Sequence, residues 1–208
     1  MPYFKKENLL FIHIPKTGGT SIENYFFNKY GKSIYTLFSG MDILFNKHTL
    51  QHSTYRELYE NREYFNIQFN DSLKILAVVR NPYERIISDL FYFNLIDSGM
   101  NRDQVEEIIR NYLYNEIETF DHYDNHRTPQ YMYLIDQNNN IPENIICIKI
   151  NDINQKMYEF GYQDFNSYEN VNNTHINYFL LLNDNSIKII NDYYMKDFDV
   201  FKFTMINI

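Results

Sequence analysis

Two short, almost unbroken apolar runs stand out along the chain: LLFIHI at residues 9–14 and KILAVVR at 74–80. Runs of this length that do not alternate with polar residues are those of strands buried on both faces, as in a parallel sheet. IICIKI at 145–150 has the same character, and IYTLF at 34–38 is a further candidate strand. Between these runs the period lengthens. DQVEEIIRNYLYNEI, 103–117, places Val105, Ile108, Ile109, Tyr112 and Leu113 on one face of a helix. Thr54-x-x-Glu57 forms a capping-box pattern that predicts a helix from about Ser53 to Asn61. Asn81-Pro82 reads as the N-cap and first residue of a helix that runs to about Ser98, with Gly99 as its stop. SIKIINDYYMKDF, 186–198, predicts a C-terminal helix. Strands alternating with helices predict an α/β domain with a central, mainly parallel sheet flanked by helices. Ligands of such sheets bind at the carboxyl ends of the strands. Lys16 and Arg80 both follow core strands, so they are expected to converge there.

The first strand leads into Pro15-Lys16-Thr17-Gly18-Gly19-Thr20-Ser21, and Thr20-x-x-Glu23 reads as the capping box of the next helix. A strand that enters a helix through a Gly-rich turn aims several backbone N–H groups at one point. The helix dipole adds positive potential, so phosphate or sulfate is the natural guest. The plainer alternative is a strand-to-helix turn whose glycines serve only its geometry. The loop is not the common nucleotide loop GxxxxGK[ST], because Lys16 precedes the glycines.

Composition narrows the function. At 208 residues the chain is expected to be a single domain, 1–208, with length for one core. Its 19 basic and 27 acidic side chains give a net charge of −8, which argues against nucleic acid as a partner. The apolar stretches are shorter than a membrane span, and MPYFKKENLLFIHI lacks the features of a signal peptide. A cytoplasmic enzyme is therefore expected. The single cysteine, Cys147, excludes an internal disulfide and paired-Cys metal sites. Its place in IICIKI predicts a buried structural thiol. The sequence leaves the oligomeric state open.

PKTGGTS after one strand and RNPYERIIS after another resemble the sulfotransferases that use 3′-phosphoadenosine-5′-phosphosulfate (PAPS). The likeness is strongest to the carbohydrate branch that contains uronosyl 2-O-sulfotransferases. It extends through QHSTYREL, HRTPQYMYLID, ENVNNTHINY and YYMKDFDVFKF, and so over nearly the whole chain. The resemblance implies a P-loop-like, three-layer sulfotransferase fold. It implies that the Pro15–Ser21 loop binds the 5′-phosphosulfate, and that Arg80 with Ser88 binds the 3′-phosphate. Asn173 and Thr174 are then expected to lie over the same nucleotide. The residue chemistry agrees: a strand-end guanidinium matches phosphate oxygens bidentately. Arg85 is expected to serve the surface or the packing rather than the ligand.

Sulfuryl transfer needs in-line geometry and charge stabilisation, which Lys16 and the loop N–H groups can supply without a metal. The acceptor hydroxyl needs a base. Of six histidines, His13 lies in a strand and reads as a core residue. His52 stands just before a helix start, which disfavours imidazolium. It also falls in a segment resembling the family's His-x-Thr. It is the expected base, with His48 its nearest competitor. His126 and Gln130 are expected to orient the acceptor, and His126 could assist in proton transfer. The acceptor is expected to be a sugar or another hydroxyl compound, and the acidic balance suits a neutral one. A small-molecule kinase and an inactive nucleotide-binding module are the competing readings.

Overall fold

The computed structural model describes residues 2–31, 48–114, 124–166 and 177–208. One sheet has the strand order β1-β2-β3-β4. β1 (Tyr3–Phe4) lies antiparallel to β2 (Leu9–Ile12), whereas β2, β3 (Lys74–Val79) and β4 (Ile145–Lys149) run parallel. The register sets Ile12 beside Ala77 and Val79 beside Lys149. The carboxyl ends of the parallel strands therefore finish along one edge.

Both faces of this sheet are covered, which is why its strands show no alternation. On one face Leu10, Ile12, Ile75, Ala77 and Val79 pack under Tyr55 and Leu58 of α2 (Tyr55–Glu60) and Phe201 of α7 (Met195–Phe201). On the other, Leu9, Phe11, Leu76 and Val78 meet Ile22 and Phe26 of α1 (Gly19–Tyr30) and Met157 of α5 (Ile153–Glu159). Each fully buried Val, Leu, Ile, Phe or Met among them contributes about 1.5–3 kcal/mol. A third cluster is made by helices: α3 (Pro82–Tyr92), α4 (Arg102–Tyr114), α6 (Asp184–Tyr193) and α7. The architecture is mixed α/β with an open sheet. Among the described residues no helix is long and apolar enough to cross a membrane.

Local signals near the sheet edge formed as expected. The Thr54 hydroxyl accepts from the Glu57 N–H, and the Glu57 carboxylate accepts from the Thr54 N–H. The Asn81 side chain accepts from the Tyr83 N–H, with Pro82 as the first helical residue. On α4, Val105, Ile109, Tyr112 and Leu113 are buried, and Ile108 partly so.

Four expectations are corrected. The Thr20 box does not form: α1 begins one residue earlier, from a left-handed Gly18 (φ 85°) with no side-chain cap. α3 ends at Tyr92 rather than near Ser98, because Asn94 turns into the left-handed region at φ 55°. The C-terminal helix divides at Tyr194 into α6 and α7. Cys147 is exposed, since β4 lies at the end of the strand order. The strand expected at 34–38 and the expected ligands Asn173 and Thr174 lie outside the described residues.

Asp197 on α7 is fully buried, and its two oxygens accept the Gln130 and Tyr131 N–H groups at 2.8 Å each. Asp197→Ala leaves both donors unpaired and is expected to cost about 3 kcal/mol. Asp197→Asn, which keeps one acceptor, should cost less. Urea unfolding of the two variants checks this, and equal losses would contradict it.

Candidate active site

The turn after β2 is shaped by two glycines for two different reasons. Gly18 supplies the left-handed conformation at φ 85°. Gly19 makes room: a Cβ there would come within 2.4 Å of the His13 ring. The Thr17 hydroxyl is buried and donates to the Ile14 carbonyl at 2.9 Å, so the turn is tied to its own strand. Pro15 and Ser21 are buried, Thr20 is half-buried and Gly18 is exposed. α1 has no acidic residue in its first turn and no side-chain cap. The Gly19 and Thr20 N–H groups can therefore face an anion, whereas the Ser21 N–H donates to the Gly18 carbonyl at 3.2 Å. Lys16, half-buried at φ 63°, places its ammonium 4.0 Å from the centroid of the Tyr92 ring. Burial pulls the Lys16 pKa down; Asp89 opposes that shift and Arg80 adds to it.

Arg80 meets this turn, as the strand ends predicted. Its guanidinium donates to the Lys16 carbonyl at 3.3 Å, to Glu84 at 3.3 Å and to the Tyr178 hydroxyl at 3.1 Å. Ser88 is half-buried farther along α3. Arg85 is a packing residue and not a surface one: it is 2% exposed and donates to the carbonyls of Pro15, His126 and Thr128. Gln130 is withdrawn from the surface. It is fully buried, and its amide exchanges two hydrogen bonds of 2.8 Å with the Arg80 backbone. The side chain is consumed in fixing the end of β3.

Four histidines among the described residues gather beside these groups, each with its own carboxylate. His13, in the core as expected, is hydrogen-bonded to Glu23, the residue freed when the Thr20 box fails to form. His126 pairs with Asp89 through Nδ1 at 2.5 Å, and Asp89 also accepts from the Tyr112 hydroxyl. His52 pairs through Nδ1 with Asp124, at 2.8 Å to the carboxylate and 2.9 Å to the carbonyl. The His52 ring stands edge-on to His13 and His126, with centroids 5.3 and 5.0 Å apart.

Burial holds the His52 pKa down at about 4, with His13 and His126 adding to the shift against the pull of Asp124. Burial alone would raise the Asp124 pKa, but hydrogen bonds from His52 and Thr49 outweigh it and hold the carboxyl at about 2. At neutral pH the pair is thus a neutral imidazole beside a carboxylate, with the proton on Nδ1 and the lone pair on Nε2. His48 is less suited to act as a base. Its Nε2 bonds Glu57 at 2.9 Å and its Nδ1 lies 2.8 Å from the Thr49 carbonyl. Burial lowers the His48 pKa, but Glu57 overcomes this and leaves it raised.

Asp89, Asp124 and Tyr92, the aromatic partner of Lys16, carry no signal used in the sequence analysis, where Glu23 and Glu57 figure only as helix-capping residues. Asp89 could have been found, since it lies one helical turn beyond Arg85 on α3 and faces the same way. Asp124 offered no signal, being 72 residues from His52. His52, Asp124 and His126 offer ligand atoms within 4.8 Å of one another, a set able to hold a metal that no sequence spacing showed. In this structure hydrogen bonds already engage that set: Asp124 with His52 and Thr49, and His126 with Asp89.

A family model described as the sulfotransferase family matches residues 3–145, more than half of the chain. No curated protein and no solved structure matches significantly.

The depressed His52 pKa makes stability pH-dependent. Between its ordinary 6.5 and about 4, the unfolded chain takes up a proton at this imidazole that the folded chain refuses. Stability is therefore expected to fall as pH drops through that window, by an amount on the order of 3 kcal/mol. His52→Gln should remove this part of the slope in urea unfolding. An unchanged slope would show that the ring is not held neutral.

Proposed function

The chain belongs to the sulfotransferase family, and we propose that it moves a sulfuryl group from PAPS to a hydroxyl, with a carbohydrate as the acceptor class. The observation that carries this reading is the meeting of two anion-holding segments at one sheet edge, where Arg80 donates to the Lys16 carbonyl. A kinase-type loop would not need a second guanidinium at the end of the neighbouring strand. A nucleotide with a separate 3′-phosphate does.

The donor set fits PAPS. The uncapped start of α1 and the Lys16–Ser21 turn would hold the phosphosulfate, in a P-loop-like strand–turn–helix arrangement. Arg80 and Ser88 would hold the 3′-phosphate. Asn173 and Thr174 join the nucleotide site by resemblance alone. PAPS supplies the activated sulfuryl group. Lys16 offsets the charge that develops on the departing phosphate. Asp124 fixes His52 with Nδ1 protonated, so Nε2 can take the hydroxyl proton. The sulfuryl group would pass to the acceptor oxygen as its bond to the phosphate oxygen is lost, with Lys16 holding the departing bisphosphate and His52 the proton. His126, oriented by Asp89 and set beside His52, would face the acceptor. The carbohydrate class rests on the likeness to the uronosyl branch, and the net charge of −8 favours a neutral sugar over a polyanion.

Calorimetric titration with adenosine 3′,5′-bisphosphate, adenosine 5′-phosphate and ATP tests the reading. The bisphosphate should bind most tightly, and Arg80→Ala should weaken it by at least about tenfold. His52→Ala should leave binding nearly unchanged while turnover of PAPS falls roughly a hundredfold or more. Preference for ATP, or no nucleotide binding, would sink the proposal.

A further inference from the structure

The last residue of α3 stands between the two halves of the site. Tyr92 is 60% exposed, so the core does not account for its place. Its ring receives the Lys16 ammonium at 4.0 Å from the centroid. The same ring stacks on His126, with centroids 5.6 Å apart and planes 13° from parallel. Phe93 closes the group, meeting Tyr92 edge-on at 5.1 Å and His126 at 4.9 Å. α3 is itself anchored to both sides, through Arg85 to the Pro15 carbonyl and through Asp89 to His126.

An aromatic face suits this place for an electrostatic reason. It attracts an ammonium and gives it a direction, yet brings no net charge of its own. A carboxylate would hold Lys16 as firmly but would cancel the charge and repel an incoming phosphosulfate. We propose that Tyr92 is a positioning residue for sulfuryl transfer, whose single ring fixes both the Lys16 ammonium and the His126 imidazole. The inference rests on the sulfotransferase reading above and adds to it the element that sets the cofactor side against the acceptor side.

Tyr92→Leu and Tyr92→Phe separate this role from packing, because an exposed residue can be changed with little loss of stability. Three readouts are needed. Turnover is followed as sulfate released from labelled PAPS with water as acceptor: water oxygen bonds to sulfur, and the bond to the phosphate oxygen breaks. Adenosine 3′,5′-bisphosphate binding is measured by calorimetry. The Lys16 ε-methylene resonance, assigned by its loss in Lys16→Arg, reports the ring through its upfield displacement. Tyr92→Leu should abolish that displacement and lower turnover roughly ten- to a hundredfold. Bisphosphate affinity should change less than about threefold. Tyr92→Phe, which keeps the face, should match the wild type in all three readouts. Unchanged turnover in Tyr92→Leu overturns the inference while leaving the sulfotransferase reading intact. So does a loss confined to nucleotide affinity, or a Phe variant as impaired as the Leu one. Wild-type protein that binds no bisphosphate and releases no sulfate overturns both.

Discussion

One buried guanidinium holds the site together. Arg85 donates to the carbonyls of Pro15 at 3.1 Å, His126 at 2.6 Å and Thr128 at 3.1 Å. Those carbonyls belong to the turn after β2 and to the segment that carries His126, which are far apart in sequence. The arginine itself sits on α3, so a single planar fork joins three pieces of backbone. A lysine could not replace it, because one ammonium does not present fixed N–H groups in three directions. Removing a full charge from water is costly, and the negative charges of Asp89 and Asp197 lie close enough to offset part of that cost.

Around this brace the site follows a simple division of charge. Among the described residues every imidazole has its carboxylate: His13 with Glu23, His48 with Glu57, His52 with Asp124 and His126 with Asp89. Each pairing fixes one ring nitrogen and leaves the other's chemistry to its surroundings. His52 differs from the rest in having two other imidazoles against its ring, and together with its own burial they hold it neutral. In the turn after β2 the Lys16 ammonium has no carboxylate ion-pair partner among the described residues and lies over an aromatic face.

What the sequence disclosed was local. The apolar runs gave the parallel strands, because burial on both faces leaves a mark in consecutive residues. Thr54-x-x-Glu57 and Asn81-Pro82 gave helix starts, because a cap is made within one turn. Lys16 and Arg80 could be set at one edge by the rule for parallel sheets alone. The failures share a cause as well. Glu23 looked like half of a capping box but serves His13, a choice decided by the glycine that starts α1 early. Gln130 looked like a contact for the acceptor, and only the fold shows it spent on the Arg80 backbone. Asp124 and Tyr92 act through neighbours distant in the chain, and no spacing announces such partners.

Lys16 holds a backbone conformation, φ 63°, in which a side chain crowds its own carbonyl; glycine or asparagine would adopt it more easily. Random drift, or an engineer selecting only for heat resistance, would tend to replace this lysine with a residue better suited to the turn. Such a replacement would tighten the loop and discard the charge that the loop carries. Stability and activity are thus opposed at a single position, and the lysine's persistence there would itself record selection for chemistry over robustness.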